Sequence, residues 1–427
     1  MKNNYIQTLP LLAKSKSEVS LKQHIEDCLK IFNQLKTIFP KVGDDYKDFW
    51  KDLYSCVVLH DLGKSHTEFQ KLLRGQTNKW YHQRHELFSV SFVNSLSISE
   101  SQKFLIGFIV AGHHKGLAYL KDFVTDNYIE YDEDFDGLIE DGLDYKTECE
   151  KLIFVSSKNI LAEFGFVLSD KIKSIDISSF IKKVTKLNEQ CDENQRLRNI
   201  FLIGGLKQCD HLASAGIKEL KFLSESDFDF TSKFPLYSHQ QIDAMTDGNV
   251  ILTSPTGSGK TESAFLWLKN QFELYGQGHV FYILPYTASI NAMYKRLEKD
   301  TGKKQKIGMI HGKLSQFLEY GMSDDDFENL RDKAKVIEDF KTLVTPVKVV
   351  TPFQLLKHLY GLKDFEKGIF EWSGGYFIID EIHAYDVELF AQIITLLKYA
   401  VKYTKTKIHI MTATLPSYMK VELQKAV

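Results

Sequence analysis

The chain has 427 residues, 43% of them hydrophobic and 26% charged, the composition of ordinary globular protein in two or three domains rather than of a disordered segment. A net charge of -2 excludes a uniformly basic nucleic-acid binder, so any contact with DNA or RNA must come from local grooves. The five cysteines, 28, 56, 149, 191 and 209, are odd in number and form no CxxC pair, which excludes a disulfide framework and a zinc ribbon.

The N-terminal residues MKNNYIQTLPLLAKSKSEVS lack an apolar core of signal-peptide length, and the longest apolar stretch, Phe104 to Gly112, is too short to cross a bilayer. A cytoplasmic chain without a membrane partner is therefore expected. From about Ser17 to Leu223 the apolar spacing is helical: Leu21, Ile25, Leu29 and Phe32 repeat at three and four, and similar runs follow through Phe49 to Leu59, His85 to Leu96 and Gln195 to Leu212. Residues 1–222 are thus expected to be an all-α domain. Within it, 122–150 carries a strong excess of acids and reads as a solvated insertion, without the ligand spacing of a calcium loop.

The polar stretch 223–233, with SESDFDFTSK at its core, is expected to be a linker. After Phe234 the pattern changes. Short runs apolar on both faces alternate with helical segments: NVILTS (249–254), HVFYIL (279–284), KIGMI (306–310), VKVV (347–350), YFIID (376–380) and KIHIMT (407–412). That alternation predicts a doubly wound parallel sheet over 234–427, an α/β domain.

Two chemistries are written into these halves. In the second, the strand 249–254 runs into SPTGSGKT and then a helix, the context in which a glycine-rich loop cradles phosphates. Gly257 and Gly259 allow the tight turn, the backbone of Thr256 and Ser258 lines it, Lys260 would meet the β and γ phosphates, and Thr261 would bind Mg²⁺. Asp380 and Glu381 end an apolar strand, where Asp380 can hold the Mg²⁺ through water and Glu381 can orient and deprotonate an attacking water. ATP with Mg²⁺ is the expected cofactor.

In the first half, His60 and Asp61 of HDLGK are followed by Lys64, His85, the pair His113 and His114, and Asp210, with His24 upstream. One His-Asp dipeptide is more often a helix-end salt bridge than a ligand pair. Together, however, imidazoles and carboxylates suit Mn²⁺, Fe²⁺, Co²⁺ or Ni²⁺ better than an all-oxygen Mg²⁺ site. His66, His82 and His211 flank the set and read as bystanders, although His66 or His211 could substitute for a ligand.

The motifs resemble two families. DEIH at 380–383, MTATLP at 411–416, LPYTAS at 284–289 and VVTPFQLL at 349–356 are similar to superfamily 2 helicases of the DExH type. That resemblance implies that 234–427 is a RecA-like domain, with strand contacts at Pro285, Thr287, Thr351 and Pro352, coupling of nucleotide state to domain motion at Thr412 and Thr414, and adenine reading by Gln240. HDLGKSHTEFQ, HELFS, GHH and DHLAS resemble the HD-type metal phosphohydrolases, most closely the nuclease domain of the signature nuclease-helicase of type I CRISPR systems. The resemblance covers nearly the whole chain.

It implies that His24, His60, Asp61 and Asp210 hold one metal and Asp61, His85, His113 and His114 a second, with Asp61 bridging. Two transition-metal ions would then cleave phosphodiesters, with Lys64 and Ser214 steadying the phosphate or the ligand shell. In function it implies a single-stranded DNA nuclease coupled to a 3′ to 5′ motor, working with a guide-RNA surveillance complex. In that family a second RecA-like domain supplies catalytic arginines, whereas this chain has no arginine after Arg331. The chain alone is therefore expected to hydrolyse ATP slowly and not to unwind duplexes, with a separate chain as one possible source of the second domain. Two other readings stay open on the residues: an HD phosphohydrolase of nucleotides or RNA with a regulatory ATP-binding domain, and a non-catalytic ATP-gated binding subunit.

Overall fold

The computed structural model describes residues 10–15, 18–81, 83–128, 143–302, 306–310 and 343–427. His82, Arg331 and the middle of the acidic stretch, 129–142, lie outside the described residues; the ends of that stretch belong to the helices Leu117–Asn127 and Tyr145–Cys149. Among the described residues no helix is long and apolar enough to cross a membrane. The chain divides into two compact units, residues 1–33 with 48–218, and residues 34–47 with 219–427.

Helices alone build the first unit among its described residues. Leu21–Ile38 buries Leu21, Ile25, Cys28 and Ile31, the stripe set by its three-and-four spacing. The longest helix, Glu193–Ser214, starts at a capping box in which Asp192 accepts from the Gln195 N–H and the Gln195 side chain answers to the Asp192 N–H. It buries Leu197, Phe201, Leu202 and Leu206, and packs on Phe49–Leu59. His85–Asn94 lies against both Glu100–Gly112 and the short 3-10 turn Leu62–Ser65.

The second unit is built on a six-stranded parallel sheet in the order β1-β6-β5-β2-β4-β3, with β1 Val250–Thr253, β2 Val280–Ile283, β3 Ile307–Ile310, β4 Val347–Val350, β5 Tyr376–Asp380 and β6 Lys407–Thr412. These are the six runs anticipated from sequence. β2, β4 and β5 are buried along their whole length, which is why they read as continuous apolar runs rather than alternating ones. Because the sheet is parallel, all C-terminal strand ends share one edge. The segments Ser254–Thr261, Pro285–Thr287, Thr351–Pro352, Asp380–Glu381 and Thr412–Thr414 therefore follow along that edge.

The expected linker is part of this unit. Glu225–Ser232 forms a 3-10 helix, and Leu223, Phe228 and Phe230 are buried in the same hydrophobic core as Trp267, Tyr282 and Ile378. The acids that made the stretch look solvated are structural too: Asp227 caps Ser224 and pairs with Lys306 at 2.6 Å. Residues 34–47 join the unit for a similar reason, since Phe39 is buried against Phe370, ring centroids 5.2 Å apart.

Candidate metal centre and nucleotide cleft

The histidines and aspartates of the first unit come from the ends and faces of five helices and meet at one point. His24 lies on Leu21–Ile38, His60 and Asp61 directly follow Phe49–Leu59, His85 opens His85–Asn94, His113 and His114 directly follow Glu100–Gly112, and Asp210 lies near the end of Glu193–Ser214. Two donor sets result, each with its ligand atoms within 4.8 Å of one another: His24, Cys28, His60 and Asp210, and Asp61, His85, His113 and His114. Asp61 stands between them. Its Oδ2 is 3.2 Å from His24 Nε2 and 3.5 Å from His60 Nε2, while its Oδ1 is 3.1 Å from His85 Nε2.

The donor chemistry fits divalent ions. His60 Nδ1 lies 2.8 Å from the Val57 carbonyl and His113 Nδ1 2.6 Å from that of Val110. A carbonyl can only accept, so both rings place a proton on Nδ1 and turn Nε2 toward the cluster. Those two Nε2 atoms are buried and have no hydrogen-bond partner, while His85 Nε2 and Asp61 Oδ1 face each other at 3.1 Å. Buried polar atoms are normally paired, and two converging orphan nitrogens mark a place built for a bound group.

The electrostatics agree. Burial resists a charge on His24, yet Asp210 and Asp61 overcome it and push its pKa up to about 12. Burial likewise opposes ionisation of Asp61 and Asp210, but Lys64 and the surrounding imidazoles hold Asp61 far below the usual carboxylate range, and His24 and His60 do the same for Asp210. Burial drives His113 well down, helped by His114, and His114 itself down to about 4, helped by His85. A centre that stabilises a cation among ionised carboxylates and neutral imidazoles is what a metal needs.

Lys64 Nζ reaches Asp61 Oδ2 at 2.6 Å, and Ser214 Oγ donates to Asp210 Oδ1 at 3.1 Å. His66 is committed elsewhere: its Nδ1 accepts from the Glu68 N–H at 3.2 Å, and its Nε2 is 3.3 Å from Glu148. His211 forms a further possible donor group with His114 and Asp210.

Three residues of this centre escaped the sequence reading. Cys28 joins the first donor set. Ser89, in HELFS, donates to the His60 carbonyl at 2.7 Å and accepts from the Gly63 N–H at 2.8 Å, tying the metal loop to the helix that carries His85. Gly63 is the third. A methyl group at this position would collide with the His85 carbonyl oxygen and come within 2.8 Å of the Ser89 nitrogen, both immobile backbone atoms. Gly63→Ala should therefore separate the loop from the helix and lower stability by on the order of 3 kcal/mol in denaturant unfolding. A midpoint unchanged from wild type would show that the approach is not required.

In the second unit the phosphate loop has left-handed backbone at Gly257 (φ 79°) and Gly259 (φ 76°), and Gly259 caps the helix Lys260–Tyr275. Lys260 Nζ donates to the carbonyls of Ser254 (3.1 Å) and Pro255 (3.2 Å), which hold it across the loop. Asp380 Oδ2 accepts from the Tyr282 hydroxyl at 2.9 Å; burial pushes its carboxyl above the usual range, which that bond only partly offsets. Glu381 is left-handed (φ 54°), an uncommon backbone for a non-glycine residue. Gln240, Thr256, Gly257, Gly259, Lys260, Thr261, Asp380 and Glu381 all line one cleft of about 1220 Å³, while Ser258 sits in the loop, its Oγ bonded to Ser254 and Pro255.

Other side chains complete this edge. His383 Nδ1 lies 2.5 Å from Thr412 Oγ1 and 3.3 Å from Glu381 Oε2, and Thr412 Oγ1 donates to the Thr414 carbonyl at 2.8 Å. A polar chain thus runs from Glu381 to Thr414. Gln240 is fully engaged, donating to the Gly259 carbonyl at 3.0 Å and accepting from the Tyr237 N–H at 2.9 Å, so it braces the loop. Asp243, unanticipated, accepts from Ser263 at 2.7 Å and pairs with His409 at 2.9 Å, joining three elements beneath the cleft. Arg296, also unanticipated, donates to Thr261 Oγ1 at 3.1 Å. Pro285, Thr287 and Thr351 are partly exposed beyond their strands, but Pro352 is buried at the first turn of Pro352–Leu359, so it acts as a helix start.

The first unit is helical with a histidine-aspartate cluster and the second is a parallel-sheet unit with a glycine-rich loop, and within the second, residues 238–421 match the DEAD/DEAH box helicase family. The chain is similar to nuclease-helicases of the Cas3 type. It is 25% identical to the CRISPR-associated nuclease/helicase Cas3 of Methanothermobacter thermautotrophicus, an alignment covering 89% of this chain and 49% of that protein. It is 28% identical to Cas3 of Streptococcus thermophilus over 49% of this chain and 24% of that one. The chain thus spans about half the length of the Methanothermobacter relative or less of the others. Its fold is that of the crystal structure of T. fusca Cas3-ATP (TM-score 0.61, 17% identity, 98% of this chain and 51% of that one). It likewise matches a chain of a CRISPR RNA-guided surveillance complex in a pre-nicking state (TM-score 0.53, 17% identity, 98% and 49%).

Proposed function

We propose that the chain carries a metal-dependent nuclease that cuts single-stranded DNA, coupled to an ATP-driven 3′ to 5′ helicase motor that feeds it, in CRISPR interference. The observation that carries the proposal is the pair of donor sets joined through Asp61, with the buried Nε2 atoms of His60 and His113 left without partners. His24, His60 and Asp210 would hold one divalent ion, His85, His113 and His114 another, and Asp61 both. Such ions supply a water acidic enough to attack a phosphodiester at neutral pH and charge to stabilise the phosphorane-like transition state. The Val57 and Val110 carbonyls fix the His60 and His113 tautomers. Lys64, paired with Asp61, places a positive charge beside the attacked phosphate. His85 is partly accessible while His24, His60, Asp61 and His113 are buried, so the strand approaches from the His85 side.

In the cleft, Lys260 and the loop amides would take the ATP phosphates, Thr261 and Asp380 the Mg²⁺, and Glu381 the attacking water, while His383, Thr412 and Thr414 pass the nucleotide state to the rest of the motor. The relatives named for CRISPR and the pre-nicking surveillance complex support a guide-RNA complex as the partner that presents the strand.

The test offers the purified chain circular single-stranded DNA, linear RNA and mononucleotides, with Mn²⁺, Ni²⁺, Co²⁺ or Mg²⁺ or with EDTA, and without ATP. Transition-metal-dependent opening of the circle is expected. Turnover of mononucleotides with the circle intact would replace this reading with a phosphohydrolase.

A further inference from the structure

We propose that Cys28 is a donor to the ion position formed by His24, His60 and Asp210, and that its sulfur biases this position toward thiophilic ions such as Co²⁺, Ni²⁺ or Zn²⁺ over Mn²⁺ and Mg²⁺. The inference rests on the metal reading of the cluster and adds a ligand to it that neither the motif resemblance nor the named relatives supply.

Cys28 stands four residues after His24 on the helix Leu21–Ile38, so both side chains leave the same face. Its Sγ is 3.7 Å from His24 Nε2. Two ligands on one tetrahedral ion, with metal–sulfur and metal–nitrogen bonds of ordinary length, sit roughly 3.6 Å apart. The ligand atoms of His24, Cys28, His60 and Asp210 all fall within 4.8 Å of one another, and all four residues are buried.

A buried cysteine alone is most often a small hydrophobe. Here a second observation points to a ligand: His60 Nε2, in the same set, is fully buried, turns toward the cluster and has no hydrogen-bond partner. The other cysteines differ. Cys149 Sγ contacts Ser91 Oγ at 3.2 Å, Cys191 lies near Asn199, and none of Cys56, Cys149, Cys191 or Cys209 belongs to a possible donor group among the described residues.

On ligation the sulfur–metal bond forms as the Sγ–H bond breaks. The proton passes to solvent and the oxidation states of sulfur and metal are unchanged. A thiolate adds negative charge to the two carboxylates facing divalent ions, and soft sulfur favours the later, more polarisable metals.

The experiment loads the full chain, Cys28→Ser and Cys28→Ala with Co²⁺ alone and records near-ultraviolet absorption, then measures Co²⁺ and Mn²⁺ affinity by competition with a chromophoric chelator. An intense thiolate-to-cobalt charge-transfer band is expected in wild type and in neither variant. Co²⁺ affinity should fall about tenfold or more in both variants, with Mn²⁺ affinity little changed. Cys209→Ser serves as a control that keeps the band, and the wild-type spectrum decides the matter even if a Cys28 variant fails to fold. Co²⁺ bound to wild type without the band, or a band that survives both substitutions, overturns the role of Cys28 and leaves the histidine-aspartate centre standing. Failure of wild type to bind Co²⁺ at all overturns both.

Discussion

Asp61→Ala is expected to reduce metal-dependent cutting of single-stranded DNA by more than about 100-fold, beyond what loss of an outer-shell partner costs. Asp61 is the residue within reach of both donor sets, its two oxygens facing His24 and His60 on one side and His85 on the other. Its loss would weaken both ion positions, whereas loss of any single imidazole would weaken one. The same substitution leaves Lys64 without its 2.6 Å partner in a buried setting and removes one of the carboxylates that hold His24 protonated. Breaking a buried pair by deleting one member costs about 3 kcal/mol or more unless the orphan can discharge. Lys64 is partly exposed and both it and His24 keep Asp210 nearby, so folding should survive, and circular dichroism of the variant reads this directly. Cutting within a few-fold of wild type, with the fold intact, would remove Asp61 from its bridging role.

Lys260→Ala is expected to weaken ATP binding by about tenfold to 100-fold, the loss of one or two hydrogen bonds to a charged group. Lys260 is already poised by the Ser254 and Pro255 carbonyls. Its removal takes away both the contact to phosphate and a brace of the loop. Titration with a fluorescent ATP analogue measures the loss, and Asp380→Asn provides the contrast. Burial holds the Asp380 carboxyl above its usual range, and a Mg²⁺ ion held there would favour its charged form. Its substitution should weaken Mg²⁺-dependent binding while sparing the Mg²⁺-free component. The nuclease centre, which belongs to the other unit, should cut circular single-stranded DNA in the Lys260→Ala chain at the wild-type rate without ATP. Unchanged nucleotide affinity in Lys260→Ala would contradict the phosphate-loop assignment.

The sequence was most readable where one face or both faces of an element are buried. The central strands β2 and β5 read as nearly continuous apolar runs because both faces are buried, and the helix Leu21–Ile38 shows its buried stripe directly. The motif residues of each site were equally visible, since chemistry restricts them to a few side-chain types. Hidden were the contacts made across long stretches of chain. Ser89 holds Gly63 and His60 across 26 and 29 residues, and Asp243 reaches His409 across 166. Nothing local marks such a residue.

Composition misled at 223–233, where acids and serines surround Phe228 and Phe230 that belong to a core; alternation of two buried phenylalanines with polar residues was the available signal. Gln240 illustrates a different limit. Its position before the first strand is evident from sequence, but its bonds to Gly259 and Tyr237 emerge only in three dimensions. The i,i+4 spacing of His24 and Cys28 is plain in the sequence, yet its meaning depends on the helix rolling that face toward His60 and Asp210.

The most direct test of the central claim is the ion content of the purified chain after equilibrium dialysis against Mn²⁺ or Co²⁺, measured by elemental analysis beside the Asp61→Ala chain. Two centres joined through one carboxylate predict about two ions per wild-type chain and a clear deficit in the variant. Equal and negligible occupancy in both would mean that the histidines and aspartates gathered here form a buried polar network and not a metal centre.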